Sequence, residues 1–224
     1  MKMPRLLRAA LPALSLLVFA GPAPAAVEML NIDQSHTNVG FSIRHFFTPV
    51  KGEFREVKGT IAYDLENPSQ SKVEVTIPSA SINTNHEKRD THLRSADFFD
   101  AEKNPTITFV SKSIALDAKT NKGTMTGDLT MRGVTKPVTL DVEMLGIMGA
   151  GAGKVAGFTA RGKVNRKDYG ILWNRTLDQG GTMLADDVDL IIDVEAKTPP
   201  PPKPAENAAA TPAPATAPAG ETKK

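Results

Sequence analysis

Apolar side chains return at every second position along most of this chain. The runs are Val39, Phe41, Ile43; Val57, Gly59, Ile61, Tyr63; Val73, Val75, Ile77; Ile107, Phe109; Met125, Gly127, Leu129, Met131; Val138, Leu140, Val142, Met144; Phe158, Ala160, Gly162, Val164; and Val188, Leu190, Ile192, Val194. Period two places these residues on one face of a strand and their polar neighbours on the other. Turn formers separate the runs: Asn67-Pro68, Asn104-Pro105, Asn121-Lys122-Gly123, Arg132-Gly133, a bare loop from Gly146 to Gly153, and Gly180-Gly181. One apolar and one polar face is the signature of an antiparallel sheet with water on one side. Eight such strands predict an all-β fold, most economically an eight-stranded antiparallel barrel, because closure removes the edges. A two-sheet sandwich is the alternative.

The alternation stops between Thr84 and Phe99. Thr84 and Glu87 stand at the spacing of a capping box, and Asn85 to Leu93 fits at least two helical turns. Ser95 is placed to cap a further short turn, with Phe98 and Phe99 directed back to the core. A short helical insertion over residues 85–99 is expected to plug or gate one end of the barrel.

Catalytic patterns are near misses. His86-Glu87-Lys88-Arg89-Asp90 begins like a zinc-protease helix but has Asp90 where the second histidine belongs. Gly149-Ala150-Gly151-Ala152-Gly153-Lys154 resembles a phosphate loop, yet Met148 and Val155 occupy its required glycine and hydroxyl positions, so it is read as a hairpin. The histidines His36, His45, His86 and His92 lack ligand spacing, and neither a metal nor a cofactor is expected. With no cysteine in the chain there is no disulfide and no thiolate.

Composition divides the chain in three. Lys2, Arg5 and Arg8 precede an apolar run from Ala9 to Ala20 and the small-residue pattern Ala23-Pro24-Ala25. This is the layout of a secretory signal peptide cut after Ala25, and its apolar run is shorter than the roughly 20 residues of a membrane span. Residues 26–197 amount to one domain. Residues 198–224, with Pro199 to Pro202 and further prolines among alanines, read as a solvated, disordered tail. The net charge of +2 owes three positive charges to the leader, which leaves −1 on the mature chain. There is no basic field for nucleic acid.

Extending the inward parity by one step brings His45 to the end of its strand and Arg166 to the end of another. Polar groups at the mouth of an apolar cavity suit a lipid with a polar head. Gly59, Gly127, Ala160 and Gly162 share the inward parity; small residues there either open a tunnel or let the strands bend.

The order of several motifs resembles the YceI-like family of polyisoprenoid-binding periplasmic proteins. They include Asn31-Ile32-Asp33-Gln34-Ser35-His36 with Val39-Gly40-Phe41-Ser42-Ile43-Arg44-His45, and Arg89-Asp90-Thr91-His92-Leu93-Arg94-Ser95-Ala96-Asp97-Phe98-Phe99. Gly127-Asp128-Leu129-Thr130-Met131-Arg132-Gly133-Val134-Thr135-Lys136-Pro137-Val138, Asp168-Tyr169-Gly170-Ile171 and Asp187-Val188-Asp189-Leu190 follow, so the likeness spans Val27 to Ala196. The resemblance implies a lipocalin-like barrel, exported to the periplasm, holding an isoprenoid or quinone-like amphiphile without chemistry.

On that reading Phe41, Ile43, Phe54, Ile61, Leu129, Met131, Val164, Leu190 and Ile192 line the cavity, with Phe98, Phe99 and Trp173 near its ends. His45, Arg89 and Arg166 are the candidates for the head group. Two rivals stand beside it: a lipid-modifying enzyme using His45, His92 and Asp90, and an interaction scaffold whose working part is the Pro/Ala-rich tail. The expected partner is a hydrophobic small molecule, with no nucleic acid and no integral membrane span. Oligomeric state is open, a homodimer included.

Overall fold

The computed structural model describes residues 27–200 apart from 65, 152 and 177–181. The expected leader 1–25, the tail beyond 200 and the Gly180-Gly181 turn lie outside the described residues. Eleven strand segments form one sheet: β1 (Val27–Ile32), β2 (Asn38–His45), β3 (Thr48–Phe54), β4 (Lys58–Asp64), β5 (Lys72–Pro78), β6 (Ile82–Asn83), β7 (Thr106–Leu116), β8 (Lys122–Met131), β9 (Val134–Ala150), β10 (Gly153–Asn165) and β11 (Leu184–Lys197). Their hydrogen-bonded order is β1-β4-β5-β7-β8-β9-β10-β11-β2-β3-β6, with β1 also pairing β11.

Three pairs of segments are single staves with a local break. β1 and β2 are parted by a 3-10 turn at Gln34–His36, β5 and β6 by one at Ser79–Ser81, and β3 and β4 by Arg55 to Val57. Counted this way, eight staves run up and down in sequence order, every pairing is antiparallel, and the last stave returns to the first. Each of the eight alternating runs falls on its own stave. The closed antiparallel barrel with one α-helix is the expected fold, and the sandwich is excluded.

Two segments escape the alternation. Val27-Glu28-Met29-Leu30-Asn31-Ile32 is apolar on both parities, with Leu30 fully buried while Val27 and Met29 are half-exposed on the outside. Thr48-Pro49-Val50-Lys51-Gly52-Glu53-Phe54 carries proline and glycine, both depleted in strands. Pro49 pairs with Arg44 on one side only, since β6 meets β3 just at Glu53 and Phe54, so its missing N–H leaves no ladder bond unmade.

The bare loop expected from Gly146 to Gly153 is instead mostly strand. β9 runs on to Ala150, which pairs with Gly153, and a register shift opposite Gly157/Phe158 leaves Leu145 as the extra, bulged residue of β9. Main-chain hydrogen bonds build this hairpin, so the lack of informative side chains did not prevent a ladder. The expected capping box is also corrected. Helix α1 (Glu87–Arg94) takes His86 as its N-cap, whose ring accepts from the Arg89 N–H at 3.3 Å, while Thr84 is engaged by Asp90 and Arg89.

The barrel closes around Asp33, just past β1. β11 pairs with β2 between Leu184 and Asp193, and with β1 at Lys197–Asn31 and Ala196–Ile32. At the break between β1 and β2, Asp33 Oδ2 accepts from His36 Nδ1 at 2.8 Å and from Lys197 Nζ at 2.9 Å. Asp33 N–H donates to the Glu195 carbonyl at 2.8 Å, and Glu195 N–H donates to Thr37 Oγ1 at 3.2 Å. The His36 hydrogen bond, then that of Lys197, holds the Asp33 carboxyl well below the usual carboxylate range. Asp33 in turn, followed by the charge of Glu195, raises the His36 imidazole above its ordinary 6.5.

A raised folded-state pKa means that protonated His36 favours the fold. Its contribution is complete below the unfolded pKa and is lost as pH rises through the folded one. Asp33 works in the opposite sense, and its contribution persists until strong acid. Thermal melts between about pH 5 and 8 should therefore show a decline toward the alkaline side that His36→Gln reduces. An unchanged pH slope in the variant overturns this assignment.

Candidate functional site

The inward faces of the staves enclose a cavity of about 430 Å³. That lies within the range of about 300–1,000 Å³ typical of small-molecule sites. The twelve apolar and aromatic residues expected to line a cavity all do so. Phe41 and Ile43 come from β2, Phe54 from β3, Ile61 from β4, Leu129 and Met131 from β8, Val164 from β10, and Leu190 and Ile192 from β11. Phe98, Phe99 and Trp173 reach the cavity from the connections at the α1 end. Other lining residues share the inward parity without having been singled out, notably Phe109, Met125, Leu140 and Phe158. Leu93 reaches the lumen from α1, where strand parity gives no signal.

The inward glycines do not open the lumen. A Cβ at Gly127 would lie 2.4 Å from the ring of Phe109, one at Gly162 2.6 Å from Leu140 Cδ2, and one at Gly59 2.8 Å from Ile32 Cδ1. Each glycine is a seat for a side chain from a neighbouring stave, which corrects the tunnel expectation for these positions. A glycine beneath an aromatic ring lets the ring lie flat on the sheet and restores the missing packing. Gly162→Leu would accordingly displace Leu140 before it occluded anything.

The two ends differ. At the end holding the β4–β5 connection, Leu30, Ala156 and Ala196 are almost fully buried and pack with Ile61, Tyr63 and Met144. At the α1 end an aromatic group closes over the cavity. Phe54 meets Phe99 edge-on at 5.6 Å, Phe98 meets Trp173 at 5.2 Å, and the His92 ring stands edge-on to both Phe98 and Trp173 at 5.0 Å. Arg132 Nη1 donates to the Phe98 carbonyl at 2.5 Å and Arg166 Nη1 to the Trp173 carbonyl at 2.8 Å. Both aromatic connections are thus tethered through their backbones.

The three head-group candidates all line the cavity, at this same end. Their donors are committed to different degrees. Arg166 is 3% exposed and donates to the carbonyls of Ala185, Ile171 and Trp173 and to Asp186 Oδ1. Burial draws its guanidinium pKa down, while Asp186 opposes the shift. It is a structural tie between the β10–β11 connection and the start of β11. Arg89 is half-buried and gives Nε to Thr84 Oγ1 at 2.7 Å and Nη2 to the Thr84 carbonyl at 2.8 Å; no acceptor among the described residues holds Nη1. His45 ends β2, half-buried, with its ring edge-on to Phe46 at 4.5 Å.

The residues of the enzymatic alternative form no hydrogen-bonded group: His45 and His92 both line the cavity, but Asp90 does not. Asp90 is 1% exposed and accepts from Thr84 N–H at 2.9 Å, from Thr84 Oγ1 and from Asn83 Nδ2 at 3.4 Å. It anchors α1 to the segment before it. His92 Nε2 lies 2.8 Å from Asp97 Oδ2, not from Asp90, and no hydrogen bond joins either residue to His45. Among the described residues the only group that brings three metal-type ligand atoms within 4.8 Å is Asp33, His36 and Glu195 at the barrel seam. Sequence spacing misses it because Glu195 belongs to the last strand. Lys197 already places its ammonium on the Asp33 oxygen that His36 shares, so a cation there would meet like charge.

The YceI-like domain model matches residues 30–196, nearly the whole barrel. This chain belongs to the YceI-like family. Protein YceI of Escherichia coli O157:H7 is 43% identical over 184 residues, covering 81% of this chain and 92% of that protein. The YceI-like barrel is also similar to the crystal structure of the Campylobacter jejuni YCEI protein, with a TM-score of 0.59 and 38% identity over 74% of this chain and 95% of that one. A polyisoprenoid binding domain from Saccharophagus degradans has a TM-score of 0.56 at 14% identity, covering 78% of this chain and all of that one, and so shares the fold. The motifs that carry the family resemblance include the barrel seam at Asp33 and His36 and the α1 anchor at Asp90.

Asp90→Ala in this YceI-like barrel removes the acceptor of two buried donors on Thr84. Unsatisfied buried donors cost about 1–3 kcal/mol. Urea unfolding should show a loss of about that size, and a loss below ~0.5 kcal/mol, typical of a neutral surface change, would contradict the anchoring role.

Proposed function

We propose that this protein is an exported, periplasmic, non-catalytic carrier whose barrel interior holds the chain of an isoprenoid-like amphiphile, such as a polyprenyl phosphate or a quinone tail. The observation that carries the reading is the 430 Å³ cavity, walled almost entirely by apolar side chains along the barrel. Each methylene moved from water into such a wall contributes about 0.8 kcal/mol, so a chain binds through its length and needs no specific partner. The shared fold with a polyisoprenoid binding domain supports the same reading. Residues 1–25 act as the cleaved leader and the Pro/Ala-rich tail takes no part in binding. Thr198, where the tail was expected to begin, still belongs to the barrel, its N–H donating to the Lys154 carbonyl at 2.9 Å and its Oγ1 accepting from Lys154 N–H at 2.9 Å. Binding uses no cofactor and moves no proton.

The head group lies at the α1 end. Arg89 offers Nη1 beside the cavity, and His45 stands at the rim of the same end. Arg166 contributes by holding the Trp173 connection in place, because its Nε and Nη1 are taken up by backbone carbonyls and its Nη2 faces Asp186.

Native mass spectrometry of the protein purified from its own cell envelope without detergent should reveal a discrete co-purifying amphiphile. Ala160 faces the lumen from the middle of β10. Ala160→Phe should abolish uptake of both geranylgeraniol and geranylgeranyl phosphate by the delipidated protein while leaving the thermal melt cooperative. Arg89→Gln should weaken uptake of the phosphate by about tenfold, in keeping with the ~1.5–3 kcal/mol of a hydrogen bond to a charged group, and leave the alcohol unaffected. Wild-type loading in Ala160→Phe, or an apo protein that takes up neither compound, would sink the carrier reading.

A further inference from the structure

The β2–β3 hairpin turns on two phenylalanines. Phe46 adopts φ 51°, a region that bulky side chains avoid. Two-residue hairpin turns are ordinarily built from Asn-Gly or Asp-Gly for this reason. Phe47 is 96% exposed, the most exposed of the large apolar side chains described. The tip is nonetheless held firmly. Phe46 N–H donates to the Met183 carbonyl at 2.8 Å, and Arg44 Nη1 donates to the Phe46 carbonyl at 2.5 Å. Neither turn chemistry nor core packing accounts for a fixed, solvated aromatic at this place, and strained positions of this kind gather at functional sites.

The surroundings specify a partner. Leu172, 64% exposed, lies at the same end of the barrel, beside Trp173 of the aromatic closure. Arg44 and Lys51 flank the tip on β2 and β3. Arg175, whose carbonyl accepts from Met183 N–H, follows in the adjoining strap. All three are exposed, residues 42–52 carry no acidic side chain, and the acids that border these segments among the described residues are paired, Glu53 with Arg55 at 3.8 Å and Asp186 with Arg166 and Lys167. An aromatic tip among cations, at one end of a cavity, matches an anionic lipid interface: aromatic rings favour the headgroup level and basic side chains meet its negative potential.

We propose that the Phe46-Phe47 hairpin is a membrane-contact element that seats the α1 end of the barrel on an anionic bilayer. The proposal rests on reading the interior as a lipid site, since a bilayer is where such a cargo is taken up and released. Passing the chain through water would expose every methylene at about 0.8 kcal/mol each, whereas a seated barrel end shortens that path. The contact is shallow and reversible, one ring and a few charges deep.

Flotation with vesicles of phosphatidylcholine containing about one-third phosphatidylglycerol tests it, because anionic headgroups supply the attraction. The wild-type protein should bind these vesicles, bind phosphatidylcholine alone weakly, and lose binding at high salt. Phe47→Ser should bind about tenfold more weakly, equivalent to about 1.4 kcal/mol, with an unchanged thermal melt. Met148→Ser, which alters a 70% exposed apolar residue at the opposite end, should bind as the wild type does. No vesicle binding by the wild type, or equal binding by Phe47→Ser, overturns the proposal. So does sedimentation showing a dimer that Phe47→Ser dissociates without any vesicle binding, which would assign the tip to a second copy of the chain. Uptake of geranylgeraniol, measured without vesicles, separates the two readings. Uptake without vesicle binding defeats the docking element alone, and Phe47-dependent vesicle binding without uptake defeats the carrier reading alone.

Discussion

The last strand meets the first stave along most of its length, with β2 from Leu184 to Asp193 and with β1 at Ala196 and Lys197. That return turns a curved meander into a barrel. An open sheet would present two unpaired edges and a wet concave face; the closed one has a lumen from which backbone polar groups are withdrawn into the ladder. Side chains of one parity then determine the character of the interior. The Asp33, His36, Glu195 and Lys197 group stands at this closure, so charge and hydrogen bonding at one corner act on the enclosure as a whole.

Inside, volume is distributed by cross-strand substitution. Where a stave carries glycine, a neighbour supplies a ring or an alkyl group to the vacated position, as Phe109 does over Gly127 and Leu140 over Gly162. The wall therefore stays continuous, and the free space lies along the barrel rather than above the small residues. A dense apolar cluster around Leu30 and Ala196 fills one end. The other is closed by aromatic side chains on connections tethered through Phe98 and Trp173 carbonyls. Helix α1 belongs to that end and is held chiefly by polar contacts, through Asp90, Arg89 and Arg94, with Leu93 as its apolar contact to the lumen beside Arg89 and His92.

The cations at the α1 end illustrate how similar residues take different work. Arg166 and Arg89 both line the cavity, yet one is consumed in tying carbonyls together and the other keeps part of its guanidinium uncommitted. The difference arises from burial and from which carbonyls the connections happen to aim inward.

The sequence alone determined the strands, their inward faces and the apolar nature of the lumen, because alternation is a parity property written locally into each strand. Phe41, Ile61, Leu129 and Leu190 were legible as wall residues on that ground. β1 and β3 were not legible by pattern, since one is apolar on both faces and the other carries Pro49 and Gly52. Only the tertiary structure decided that Thr84 serves Asp90 rather than the helix N-terminus, that Arg166 ties three carbonyls and Asp186 together, and that His36 meets Glu195 across the seam. Those outcomes depend on partners brought together by strand register and barrel closure, some of them more than 150 residues apart in the chain, as Thr37 and Glu195 are at 158. No local spacing encodes such a meeting.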